Sequence, residues 1–256
     1  MRVLTVANQK GGVGKTTTTV NLAAALGEGG WRTLIIDLDP QANATTGVGL
    51  MPEKIETSMY DVLLHGASLE ACAVATEFDN LFIAPATQDL AGAEVELVPA
   101  LSREARLRSA VEQMGDSFDF VLIDCPPSLG LLTINGFVAA SEILLPIQCE
   151  YYALEGVGQL VQNTELIRSH LNSRLRITAV VLTMYDARTK LSSQVAADVR
   201  SYFGDRVCRT VIPRSVRLSE APSFGQPISV FDPLSRGSIA YRSLAQEVSG
   251  GNKHPS

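Results

Sequence analysis

Two lysines, three glycines and a pair of threonines fall within one short stretch near the start of the chain, Asn8-Gln9-Lys10-Gly11-Gly12-Val13-Gly14-Lys15-Thr16-Thr17. Residues of these types at this spacing suit the capture of phosphate. Gly11, Gly12 and Gly14 allow the backbone to pass close to phosphate oxygens and to turn its N–H groups inward. Lys15 supplies the charge that outer phosphates require, and the Thr16 hydroxyl is placed to ligate Mg²⁺. Three aspartates extend the chemistry. Asp37 and Asp39, two residues apart in Asp37-Leu38-Asp39-Pro40, point to the same side of an extended chain and can serve a magnesium ion and an attacking water. Asp124 closes a run of apolar residues, the placement that holds the water shell of a nucleotide-bound magnesium.

These residues need elements that present them together. Val3 to Ala7 is apolar and β-branched and reads as a buried strand. Thr18 to Gly27 places Val20, Ala23, Ala24 and Leu26 at helical spacing, so the glycine-rich loop opens a helix whose N-terminus favours anions. Arg32 to Leu38 and Phe118 to Asp124 read as further strands, the second continuous enough to lie centrally in a parallel sheet. Their acidic ends then meet at the carboxyl edge, where open parallel sheets bind ligands. Asn80 to Pro85, Ile143 to Gln148, Arg176 to Thr183 and Arg209 to Ile212 continue the strand series. Helices are expected at Ser58 to Leu64, Leu69 to Ala75, Leu101 to Met114, Leu154 to Leu171, Leu191 to Phe203 and Gly237 to Val248. In the third of these, Arg103, Arg106 and Arg108 read as a solvated face. Gln41 to Lys54 has no period and reads as a loop beside the phosphates, and Cys125-Pro126-Pro127-Ser128 as a stiff turn beside the outermost one. The alternation predicts a single α/β domain over residues 1–249, a mostly parallel twisted sheet flanked by helices, with a frayed tail at 250–256.

Composition narrows the function. The 256 residues are 46% hydrophobic and 19% charged, an ordinary globular balance. No signal peptide and no membrane-spanning run is expected. Cys72, Cys125, Cys149 and Cys208 are scattered and form no C-x-x-C pair, which favours buried thiols in a reducing compartment over disulfides or a metal site. The net charge of −6 is uneven: from Arg174 to Arg217 there are nine basic and three acidic residues. Such an asymmetry is what an electrostatic footprint for nucleic acid looks like, even in an acidic protein.

The loop departs from the general phosphate-loop pattern in having Gln9 in place of the first glycine and a second lysine, Lys10, inside the loop. With that lysine it resembles the deviant Walker A loop of the ParA/MinD ATPases. The resemblance runs the length of the chain and is similar to the chromosomal ParA/Soj branch through Asp37-Leu38-Asp39-Pro40-Gln41, Asp124 to Gly130, Gln148 to Gly156, Leu182 to Thr189 and Ile212 to Ser223. It implies an Mg²⁺-dependent ATPase acting in chromosome or plasmid partition. ATP closes a sandwich homodimer in which Lys10 reaches the other subunit's phosphates. The dimer binds double-stranded DNA without sequence preference, and a ParB-type partner stimulates hydrolysis to ADP and phosphate, which releases it. Lys10, Lys15 and Asp39 are then the catalytic residues; Lys10, Gly11, Gly12, Val13, Gly14, Lys15, Thr16, Thr17, Pro213 and Arg214 bind nucleotide; Thr16, Asp37 and Asp124 organise the metal; Arg188 and Arg217 contact DNA. Ser215 stands where the family commonly has Asn. The implied location is cytoplasmic and nucleoid-associated.

Other readings fit less of the chain. A MinD-like membrane ATPase shares the loop and both aspartate motifs but needs a basic amphipathic C-terminal helix, whereas the last helix here holds Arg242 as its sole basic residue after residue 236. An electron carrier of the nitrogenase iron-protein kind needs two clamping cysteines, of which only Cys125 has a candidate position. A binding module without ATPase activity would lack one of Lys15, Asp39 and Asp124. A regulatory plasmid-type protein would carry a helix-turn-helix before the first strand.

Overall fold

The computed structural model describes residues 1–251. Its sheet is built from β1 (Arg2–Val6), β2 (Thr33–Asp37), β3 (Val74–Ala75), β4 (Leu81–Ala84), β5 (Phe120–Asp124), β6 (Glu142–Gln148), β7 (Arg176–Tyr185) and β8 (Val207–Pro213). The spatial order is β3-β4-β2-β5-β1-β6-β7-β8, parallel throughout except for the β3 edge, which runs antiparallel to β4. Helices are α1 (Lys15–Glu28), α2 (Asn43–Gly47), α3 (Leu69–Cys72), α4 (Leu90–Glu96), α5 (Arg106–Met114), α6 (Leu131–Ala139), α7 (Val157–His170), α8 (Lys190–Phe203), α9 (Val216–Glu220), α10 (Ile228–Phe231) and α11 (Arg236–Ser249).

Strand alternation sorts side chains into two cores. Leu34, Ile36, Val121 and Ile123 face the layer that contains α5, α6, α7 and α8. Ile35, Phe120 and Leu122 face α1 and α11 on the other side. The central strands β2 and β5 are buried at every residue, which is why they read as continuous apolar runs. The apolar face of α11 is spent on α1, where Tyr241 is buried and meets the Thr18 hydroxyl at 3.2 Å.

Several expected elements change. Residues 41–54 are not a plain loop, since α2 forms inside them. The helix expected from Leu101 begins only at Arg106, because Ser102 is left-handed (φ 52°) and Asn135 accepts the Leu107 N–H. Its arginines are not merely solvated: Arg103, Arg106 and Arg108 donate to the carbonyls of Val98, Leu63 and Leu171. The stretch at 69–75 divides into α3 and the edge strand β3, and 58–64 gives a single wide turn at Asp61–His65. Helices α4, α6, α9 and α10 were not foreseen. Of the expected tail, Gly251 accepts the Trp31 indole N–H at 3.2 Å, and 252–256 lie outside the described residues.

One buried amide closes the end of α6. Asn172 Nδ2 donates to the carbonyls of Phe137, Val138 and Ala140, which have no partner further along the helix. Asn172→Ala strands them, and urea denaturation is expected to show a loss of about 1–3 kcal/mol.

Candidate functional site

The carboxyl edge of the sheet gathers the site. The loop follows β1; Asp37 ends β2; Asp124 ends β5; and the two strands pair with Asp37 opposite Asp124. Gly12 (φ 73°) and Gly14 (φ 86°) hold left-handed backbone that turns the loop, and a Cβ on Gly11 or Gly12 would meet no atom within 4 Å. An open cradle of backbone therefore stands at the head of α1, as a phosphate chain requires. Its walls are pinned by residues the sequence reading left without a role. Asn8 Oδ1 accepts the Lys10 N–H at 3.0 Å while its amide donates to Pro146 O, and Thr183 Oγ1 donates to Val13 O.

Lys15 is buried, with Nζ 3.3 Å from Lys10 O. Burial pulls its pKa down, while Asp124 and Asp39 push it back up, so both carboxylates lie within electrostatic reach of the ammonium. Asp39 is half-buried; its N–H donates to Asp37 Oδ1 and its own carboxylate accepts from Gln41 N–H.

Asp37 and Asp124 are fully buried. Asp124 accepts from Thr16 Oγ1 at 2.7 Å and Thr19 Oγ1 at 2.9 Å. Asp37 accepts from the N–H and hydroxyl of Thr45 at 2.9 and 2.7 Å. Desolvation raises the pKa of both, and for Asp124 the neighbouring Asp37 charge adds to it. Two carboxylates destabilised by burial and by each other fit a site completed by a cation, and with the Thr16 hydroxyl they form the all-oxygen donor set that suits Mg²⁺. Thr19 and Thr45 escaped the sequence reading. Thr19 lies one helical turn after Lys15 on the same face, a signal that spacing alone could have supplied; Thr45 lay in a stretch without period.

Beside the loop, a cavity of about 190 Å³ is lined by Gly14, Thr17, Ile212, Pro213, Arg214 and Tyr241, among others. The structure thus brings Pro213 and Arg214 to the phosphate loop across the full length of the sequence. It does not gather the basic residues of 174–217 on one face. Arg174 and Arg176 sit at the start of β7 and Arg206 just before β8, whereas Arg188 and Arg214 follow the far ends of these strands. At about 3.3 Å per residue the ten-residue β7 separates the two groups by roughly 30 Å. The two arginines singled out for DNA are also already paired: Arg188 grips Asp186 with two nitrogens at 2.9 and 2.7 Å, and Arg217 bridges Asp232 and Glu220, each at 2.9 Å, over the Phe231 ring.

A glycine cradle at a helix head, a buried lysine and two strand-end aspartates in a sheet of this order define a phosphate-loop ATPase. The family model described as an AAA domain matches residues 1–177. The chain is 53% identical to the sporulation initiation inhibitor protein Soj of Bacillus subtilis, over 96% of this chain and 98% of that one. It is 52% identical to the chromosome partitioning protein ParA of Caulobacter vibrioides, over 97% and 94%. Among solved structures it superposes with TM-score 0.85 on a Mycobacterium smegmatis protein named cobyrinic acid a,c-diamide synthase with bound ATP analogue and magnesium (39% identical, 100% and 99% covered). It superposes with TM-score 0.78 on the septum site-determining protein MinD of Pyrococcus horikoshii with Mg-ADP (28% identical, 96% and 95% covered). The chain belongs to the ParA/Soj family of ATPases, and its cofactors are ATP or ADP with Mg²⁺.

Lys15→Ala is expected to abolish ATP binding in a fluorescent-nucleotide titration, because among the described residues no other buried cation serves the cradle. Thr19→Val removes one of the two hydroxyls on Asp124 and should raise the magnesium concentration for half-maximal hydrolysis about tenfold or more, with ATP affinity measured alongside.

Proposed function

We propose that this chain is a chromosome or plasmid partition ATPase whose ATP-bound form pairs into a sandwich dimer, binds duplex DNA without sequence preference, and is released when a ParB-type partner stimulates hydrolysis. The observation that carries this reading is the unequal fate of the two loop lysines. Lys15 is turned inward and compensated by Asp124 and Asp39. Lys10 makes only backbone contacts, and among the described residues its ammonium has neither a hydrogen bond nor an ion pair. A cation left over at the rim of a phosphate cradle is suited to a second copy's phosphates. Hydrolysis would then wait for pairing, since the charge that stabilises the transition state arrives with the partner subunit.

The other roles belong to the same reading. Gly11, Gly12, Val13, Gly14, Thr16 and Thr17 hold phosphate through the loop and the first turn of α1, and Pro213 and Arg214 flank the base. Thr16, Asp37 and Asp124 hold Mg²⁺, which when bound neutralises charge on the phosphates. Asp39, the least buried carboxylate of the three, orients the attacking water. Pairing also doubles the cations offered to DNA, and affinity rises steeply with the number of phosphates neutralised. At the carboxyl edge Arg188 and Arg217 supply that charge only in competition with their own carboxylates. The location that follows is cytoplasmic and on the nucleoid. The docking of α11 on α1 leaves that helix's buried face unavailable to a membrane, and no described helix is long and apolar enough to cross one.

The deciding experiment is binding to non-specific duplex DNA with ATP, with ADP and without nucleotide, at two salt concentrations. Binding that needs ATP and weakens with salt supports the reading. Absence of DNA binding with ATP still bound overturns it, and liposome binding in that case selects the MinD-like membrane alternative. Asp39→Ala should leave an ATP-dependent DNA complex while slowing hydrolysis by about a hundredfold or more; wild-type turnover would remove Asp39 from the chemistry. Arg188→Glu should weaken DNA binding and spare ATP binding. Asp186→Asn, which removes the charge paired with Arg188, should tighten it, and equal affinity in both variants would return Arg188 to a surface ion pair.

A further inference from the structure

Two left-handed glycines touch far from each other in sequence. Gly49 (φ 85°) lies just after α2, and Gly225 (φ 64°) closes the turn at Ala221–Phe224 that follows α9. A Cβ on Gly225 would stand 2.7 Å from Gly49 Cα, and one on Gly49 would stand 3.2 Å from the Gly225 carbonyl oxygen. Backbone meets backbone here, so no rotamer change can absorb a displacement of either side.

On one side of this contact lies the nucleotide site. Helix α2 has no side-chain cap, and Ala42 before it is left-handed (φ 54°), a conformation that costs a non-glycine residue free energy. Thr45 is what fastens it. Its N–H and hydroxyl hold Asp37, and its hydroxyl oxygen accepts the Ala86 N–H at 3.0 Å. On the other side lies α9. Leu218 and Ser219 line the cavity beside the phosphate loop, while Arg217 points out to its two carboxylates. The chain after the turn is tied back to α1 by Ile228 N–H donating to Asn21 Oδ1 at 2.6 Å.

We propose that Thr45 and the Gly49–Gly225 contact are positioning elements that join the Asp37–Asp39 loop to the Arg217 helix, so that a change of the loop on nucleotide exchange resets the DNA-facing arginine. The proposal rests on the reading that ATP governs DNA binding. It gives that reading a route: carboxylate to Thr45, Thr45 to α2, α2 through the glycine pair to α9. Coupling of this kind is reciprocal, so DNA must change ATP affinity by the same factor as ATP changes DNA affinity.

The test uses the full chain, a non-specific DNA duplex, and ATP or ADP. Gly225→Ala places a methyl against Gly49, and neither residue lines the cavity beside the phosphate loop. It is expected to keep ATP binding without DNA while the ATP-over-ADP preference for DNA falls about tenfold, with an equal fall in the effect of DNA on ATP affinity. Thr45→Val, which removes the hydroxyl, should lose the preference as well, and Thr45→Ser, which keeps it, should retain it. A folded Gly225→Ala with the full preference overturns the proposal, as does a Thr45→Ser that is as defective as Thr45→Val. If Gly225→Ala does not fold, the Thr45 pair decides, each variant compared at saturating ATP and Mg²⁺ so that a weakened hold on Asp37 is not counted as lost coupling. A wild-type chain without any ATP preference removes the partition reading and this proposal together, a result seen before any variant is made; intact preference in the variants removes the proposal only.

Discussion

Two carboxylates, Asp37 and Asp124, share the dry end of the sheet on paired strands, and the rest of the site is arranged to make that tolerable. An isolated buried carboxylate is costly, and two side by side repel each other as well. The protein answers with neutral donors rather than with a salt bridge: two threonine hydroxyls for Asp124, a hydroxyl and two backbone N–H groups for Asp37. Hydroxyls satisfy the oxygens without cancelling the charge. An arginine in their place would lower both pKa values and leave nothing for a metal to bind. The raised pKa values are thus the counterpart of a site that keeps its negative charge in reserve for a divalent cation.

The same constraint explains why this part of the sequence was readable. Strands buried on both faces carry few polar side chains, so an aspartate ending β2 or β5 stands out against its own strand. The glycine-rich loop is equally conspicuous, because left-handed backbone at Gly12 and Gly14 favours that residue type. What was hidden obeys other rules. Thr45 is buried because of what it bonds to, and α2 is a single short turn around it; neither follows from periodicity in five residues. Helix α6 has a broad apolar surface and no polar stripe to announce it, while α9 and α10 are too short to show a period. The shortened α5 reflects a left-handed serine that propensity does not foresee.

Charge was the least readable property, since composition is one-dimensional and a sheet has two ends. A net of +6 over 174–217 suggests one basic surface, yet β7 and β8 carry its residues to opposite edges of the domain. At the carboxyl edge the surviving arginines are each matched: Arg188 with Asp186, Arg214 with Glu150, Arg217 with Asp232 and Glu220. Such exposed pairs contribute little to stability, and each also lowers the free positive charge that a polyanion would meet. The pairing takes these three arginines out of the charge that an isolated subunit offers freely at this edge. A polyanion must then be met by cations that are additional or released, and both conditions arise if a second subunit and a shifted α9 come with the nucleotide. Weak binding by the single subunit and firm binding by the pair would then have one electrostatic origin: arginines that are present in the sequence but already spoken for in the fold.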